Sequence, residues 1–123
     1  VTTWQISKQF AFSASHRLDG LRDGHPCGRL HGHNYVVEVR LSSTTLDDTG
    51  FILDYGELRP FGEWIDRVLD HQHINDALPL IQPSAENLAA YLRLIVEHEV
   101  RLPPGVTVAV GVSETPKTWA WAT

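Results

Sequence analysis

Two stretches of strict alternation constrain this chain more than any other feature. In residues 4–16, Trp4, Ile6, Phe10, Phe12 and Ala14 share one parity against Gln5, Ser7, Gln9, Ser13 and Ser15, with Lys8 the one misfit. In residues 31–41, Tyr35, Val37, Val39 and Leu41 recur in the same way. Successive side chains of a β-strand point to opposite faces, so each stretch reads as a long strand with one buried face. His16 continues the apolar row of the first stretch, and His31 and His33 continue that of the second. Between them, Gly20, Gly24, Pro26 and Gly28 mark a loop. Paired as a hairpin across this loop, the two strands gather all three histidines at its loop end.

Two histidines at i and i+2 in a strand suit one metal ion. Three histidines with an open fourth position are the donor set of a catalytic zinc, whereas structural zinc is usually closed by four protein ligands. A single histidine in an apolar row is more often a packed core residue. Three on converging rows favour the metal. The only cysteine, Cys27, lies four residues before His31. A thiol in a loop beside a cation acts as a base or nucleophile through its thiolate.

Beyond the second strand, residues 42–50 form a polar turn, and a short apolar run covers Phe51 to Leu53. Leu58, Phe61, Ile65, Val68 and Leu69 then follow helical spacing. Pro60 suits the first turn of that helix, with Asp54 to Arg59 as its entry. Asp70-His71-Gln72-His73 falls where the helix ends. Adjacent helical positions diverge by about 100°, so Asp70 and His71 touch only if the backbone leaves the helix there. Such a pair lets an aspartate orient a proton-shuttling histidine.

Ser84 reads as the N-cap of a second helix, with Glu86 in its first turn and Leu88, Tyr91, Leu92 and Ile95 as its buried stripe. Pro103-Pro104-Gly105 stops it. Val106, Val108, Val110 and Val112 alternate as a third strand, and Glu114 falls on the valine parity. A carboxylate ending an apolar row is costly unless it is paired or binds something. Residues 117–123 read as a last strand with Trp119 and Trp121 on one face. The order is ββααββ, an α+β pattern: a four-stranded antiparallel sheet with two helices on one face, in one domain over residues 1–123. His25, His73 and His98 show no partner pattern and read as loop or surface residues. Arg17, Arg22, Arg29 and Lys117 are candidate anion contacts.

The net charge of −5 argues against a nucleic-acid or membrane surface, so an anionic substrate would be met by local charge. One cysteine allows no intrachain disulfide, which suits the reducing cytoplasm. No run is apolar enough for a bilayer, and no signal-peptide pattern is visible. The chain starts at Val1 and contains no methionine, which points to a missing or processed start.

Six strings together carry a resemblance: Phe10-Ala11-Phe12-Ser13-Ala14-Ser15-His16, Cys27-Gly28-Arg29-Leu30-His31-Gly32-His33-Asn34-Tyr35, Gly50-Phe51-Ile52-Leu53-Asp54-Tyr55, Leu69-Asp70-His71, Pro83-Ser84-Ala85-Glu86-Asn87 and Ser113-Glu114-Thr115. In this order and spacing the chain resembles the 6-pyruvoyl-tetrahydropterin synthase/6-carboxy-tetrahydropterin synthase family, of the tunnelling fold. The resemblance implies that His16, His31 and His33 bind zinc and that Cys27 is the catalytic thiol. It implies that Asp70 and His71 relay protons, that Glu114 anchors the pterin ring and that Ser84 lies near the ring. It also implies sheets joined edge to edge into a barrel, as a homo-oligomer, a hexamer with active sites between subunits.

The three residues between Cys27 and His31 are similar to the bacterial 6-carboxy branch of the queuosine and deazapurine pathways. That branch is a carbon–carbon lyase. It converts 7,8-dihydroneopterin triphosphate to 6-carboxy-5,6,7,8-tetrahydropterin with release of acetaldehyde and triphosphate. The alternatives are 6-pyruvoyl-tetrahydropterin synthase, a dihydroneopterin side-chain aldolase or epimerase, and a non-catalytic pterin- or metal-binding protein. Ser15 stands where alanine is common in the family, and Ser84-Ala85 replaces a threonine-containing pair. Neither change removes a group that the chemistry requires.

Overall fold

The computed structural model describes residues 1–123. Strand β1 (Trp4–His16) pairs antiparallel with β2 (His31–Ser43) along its whole length, from Trp4 opposite Ser43 to His16 opposite His31. This is the hairpin that the alternation predicts, and its register brings the three histidines to one end. Strand β4 (Thr107–Ser113) lies antiparallel on the other side of β2, with Val36 opposite Ser113. Strand β5 (Ala120–Ala122) completes that edge. A two-residue strand, β3 (Gln72–His73), runs parallel to β1 at Ala14 and Ser15. The sheet order is β3-β1-β2-β4-β5.

Helix α1 (Arg59–Val68) follows a 3-10 turn at Tyr55–Leu58, whose start is capped by the Asp54 carboxylate accepting from the Gly56 N–H at 2.8 Å. Pro60 lies in the first turn of α1, where its missing N–H costs no helical bond. The short α2 (Ile74–Ala77) precedes α3 (Ala85–Glu99). Ser84 caps α3 by accepting from the Asn87 N–H at 3.1 Å. Phe61, Trp64 and Ile65 of α1 and Leu88, Ala89, Leu92 and Val96 of α3 join Val37, Val39, Leu41, Val108, Val110 and Val112 in one buried cluster. Both helices therefore cover the same sheet face, and each fully buried aliphatic contributes about 1.5–3 kcal/mol.

The opposite face is polar. Gln5 bonds to Ser42 at 3.1 Å, Ser13 to Asn34 at 2.7 Å, and Glu38 accepts from Gln9 at 2.8 Å and from Arg40 at 2.6 Å. The Arg40 guanidinium lies 4.2 Å from the centre of the Trp121 ring, and Trp121 stacks on Trp119. Lys8, the misfit of the first row, lays its ammonium over Phe10 at 5.5 Å and so leaves the apolar row undisturbed.

Four details differ from the expectation. The sheet has a fifth strand and the chain a third helix, because the backbone turns sharply after α1. His71 has a left-handed φ of 59°, which sends Gln72 and His73 back alongside β1. The last strand is three residues rather than seven, because a turn in which the Thr118 N–H donates to the Thr115 carbonyl occupies its start. Trp4 is exposed at the end of the hairpin farthest from the histidines.

Candidate active site

His16, His31 and His33 project from facing ends of β1 and β2 on the helix-covered side of the sheet. Their ligand atoms lie within 4.8 Å of one another. His16 Nδ1 is 2.8 Å from the Pro83 carbonyl, and His31 Nδ1 is 2.6 Å from the Arg29 carbonyl. A carbonyl only accepts, so both Nδ1 atoms carry the proton and donate. Both Nε2 atoms then present lone pairs, and they face each other at 3.0 Å. The Nε2 of His33 is buried with no hydrogen-bond partner. Ring nitrogens of three histidines converging, one of them with no partner at all, are what a cation relieves, and the carbonyls holding Nδ1 of His16 and His31 are the orienting contacts typical of ligand histidines. The donor set fits a metal ion.

Electrostatics point the same way. Burial holds the pKa of His16 below the ordinary histidine value, against the opposing pull of the Pro83 carbonyl and Glu114. Burial does the same to His33. Neutral imidazole is the form that binds metal. Tyr35, two residues past His33, is fully buried, with its ring 5.4 Å from that of His33 and stacked on Phe12 at 4.8 Å. Its hydroxyl has no partner, and burial pushes its pKa far up, so it stays protonated.

Glu114 follows the end of β4 and points toward the trio, with Oε2 at 3.6 Å from His33 Nε2. That is too long for a hydrogen bond and leaves the carboxylate free to accept elsewhere. Glu114 and Ser84 line one cavity of about 430 Å³ with Leu18, Val112, Trp119 and Trp121. The structure thus joins the trio, Glu114 and Ser84, while Ser84 also serves as the α3 cap.

Asp70 and His71 make a second group. The left-handed backbone at His71 takes the pair out of the helix, as contact requires, and Asp70 Oδ2 meets His71 Nδ1 at 2.9 Å. Asp70 Oδ1 accepts from the Ser13 N–H at 3.0 Å, and His71 N–H donates to the Ser13 carbonyl at 2.7 Å. The Ser13 bond, then His71, hold the Asp70 carboxyl below the usual carboxylate range. The pair is clamped to the outer edge of β1, and His71 is exposed there. It lines a cleft with Ser13, Ser15, Asn34 and His73 on the polar side of the sheet.

Cys27 is a third group. It is half-buried in a 3-10 turn, Pro26–Gly28, between β1 and β2. Its carbonyl accepts from the Leu18 N–H at 3.0 Å, which ties the turn to the exit of β1. Within one chain, the thiol and the Asp70–His71 pair stand on separate elements with no hydrogen bond between them.

Two histidines read as unpartnered in the sequence have partners. His73 Nδ1 is 2.9 Å from Ser15 Oγ, and His25 Nδ1 accepts from the Cys27 N–H at 3.0 Å. The position of His25 directly before Pro26 carries a cap signal, since proline favours the first turn.

Residues 5–123 match the family described as 6-pyruvoyl tetrahydropterin synthase. A 6-carboxy-5,6,7,8-tetrahydropterin synthase from Synechocystis is 36% identical over 94 residues, covering 72% of this chain and 71% of that protein. The human 6-pyruvoyl tetrahydrobiopterin synthase is 31% identical over 125 residues, covering 90% and 85%. Among solved structures, the Caenorhabditis elegans 6-pyruvoyl tetrahydropterin synthase superposes with a TM-score of 0.84 at 24% identity, covering 98% of this chain and 95% of that one. The five-stranded sheet and its helices are thus the tunnelling fold. Family and relatives together support a tetrahydropterin synthase-type lyase. On the match over nearly its whole length, the chain belongs to the 6-pyruvoyl tetrahydropterin synthase family.

Proposed function

We propose that this chain is a zinc-dependent 6-carboxy-5,6,7,8-tetrahydropterin synthase acting on 7,8-dihydroneopterin triphosphate in the cytoplasm, with release of acetaldehyde and triphosphate. The observation that carries the reading is the trio of ring nitrogens, two of them oriented by backbone carbonyls, with Glu114 beside them. The choice of branch is supported by the Synechocystis relative and by the three-residue spacer between Cys27 and His31.

His16, His31 and His33 would hold the zinc, which when bound polarises a substrate hydroxyl or carbonyl. The Glu114 carboxylate accepts two N–H bonds from the amidine-like edge of the pterin, and the cavity it shares with Ser84 and the tryptophans takes the ring. Cys27 takes a proton from the side chain, and His71, held by Asp70, delivers or removes another. Because the thiol and the relay pair stand apart in one chain, the complete site forms where the outer β1 edge of one subunit meets a neighbour. This is the edge-to-edge barrel, a hexamer.

The human relative favours a second reading, 6-pyruvoyl-tetrahydropterin synthase. Incubating the purified protein with dihydroneopterin triphosphate and identifying the products by mass decides between them. Acetaldehyde with a 6-carboxy pterin supports the first reading, a 6-pyruvoyl product supports the second, and no pterin product rejects both. The metal is tested separately. His31→Ala should lose about one zinc per chain, and full retention in that variant would refute the assignment.

A further inference from the structure

The turn that carries Cys27 is closed by an unusual cap. His25 has extended backbone angles, φ −66° and ψ 128°, and Pro26 follows at the first position of the 3-10 turn. The His25 ring reaches forward so that Nδ1 accepts from the Cys27 N–H at 3.0 Å. The Gly28 N–H donates to the His25 carbonyl at 3.0 Å, and the His25 N–H donates to the Arg22 carbonyl at 3.1 Å. From the other side, the Cys27 carbonyl takes the Leu18 N–H. Both backbone polar groups of Cys27 are therefore held, one by an imidazole and one by the strand exit that also carries His16.

Short side chains such as Asn, Asp and Ser usually fill this capping role. An imidazole does so only with Nδ1 unprotonated, which places its proton on Nε2. We infer that His25 is a positioning residue for Cys27: its Nδ1 fixes the Cys27 backbone and thereby the direction of the thiol. This rests on Cys27 being the reacting thiol, as proposed above. His25 itself touches no reacting atom.

Two isosteric variants separate the ring nitrogens. Asn places an acceptor where Nδ1 stands, and Gln places one nearer to Nε2. The zinc-loaded protein is assayed with dihydroneopterin triphosphate for kcat and KM, and Cys27 is alkylated with iodoacetamide. Alkylation reports this position alone, since the chain has no other cysteine. His25→Gln and His25→Ala should lower kcat by about tenfold, the scale of a lost cap. KM and zinc content should stay unchanged, and alkylation should quicken as the half-buried thiol is released. His25→Asn should restore both kcat and the slow alkylation. Parent-like alkylation and kcat in His25→Gln, or rescue by Gln rather than Asn, would overturn the inference. Cys27→Ala serves as the control: if it turns over normally, the thiol assignment fails, while the alkylation arm still decides whether His25 holds the turn.

Discussion

Tyr35 is the residue whose chemistry is least satisfied. Its hydroxyl is fully buried beside His33 and bonds to nothing, whereas a buried polar group without a partner costs about 1–3 kcal/mol. Tyr35→Phe in the metal-free protein should therefore leave stability unchanged or raise it by up to about 1 kcal/mol, read from urea unfolding. A loss larger than that would mean that the hydroxyl is partnered. Glu38 is the opposite case. Burial works against its charge, but the bonds from Gln9 and Arg40 outweigh it and hold the carboxyl below its ordinary value of 4.5. A depressed folded pKa contributes stability above the unfolded pKa and loses it as pH falls through the folded one. Glu38→Gln should cost about 1–3 kcal/mol at neutral pH. That difference should shrink steadily below pH 4.5. A pH-independent difference would show that packing, not charge, is what the substitution removes.

At the scale of elements, Gly111 shows how one strand residue fixes a neighbouring strand. A Cβ there would stand 2.6–2.8 Å from three atoms of the Trp121 ring. The missing side chain lets Trp121 lie flat on β4, where Arg40 stacks over it. Gly111→Ala should push the ring off, detach β5 and cost about 1–3 kcal/mol. Thermal unfolding and tryptophan fluorescence would register it, and an unaltered spectrum would refute the steric account. The long elements were legible because their periods are long. Residues 4–16 and 31–41 alternate far enough to leave no alternative, and the parity of the histidines and of Glu114 came with them. Strand β3 was not legible, since two residues hold no period and its position depends on the left-handed turn at His71. The contact between Asp70 and His71 depends on the same turn. The cap from His25 to Cys27 escaped for a different reason: histidine is rarely read as a capping side chain.

The whole molecule presents two open margins. Strand β1 has a partner on its outer side only at Ala14 and Ser15, so Trp4 to Phe12 offer unpaired backbone, and β5 is three residues long on the far margin. Unpaired edges of this length invite strand pairing. On the proposed barrel, sedimentation at micromolar concentration should give an oligomer, and a monomer would refute it. The proposed division of the site adds a sharper test. Cys27→Ala and His71→Ala variants, each inactive alone, should regain partial activity when co-assembled, because some junctions then pair an intact thiol with an intact relay. No regain in a verified mixed assembly would place the whole site within one subunit.

Clamping Asp70 and His71 to the backbone of Ser13 has one more consequence. The pair is held from swinging across the sheet, because both residues are tied to β1 through Ser13. On the proposed division of the site, turnover becomes a property of encounter rather than of the single polypeptide. Specific activity should fall on dilution once subunits begin to part, and it should recover on reconcentration without any refolding step.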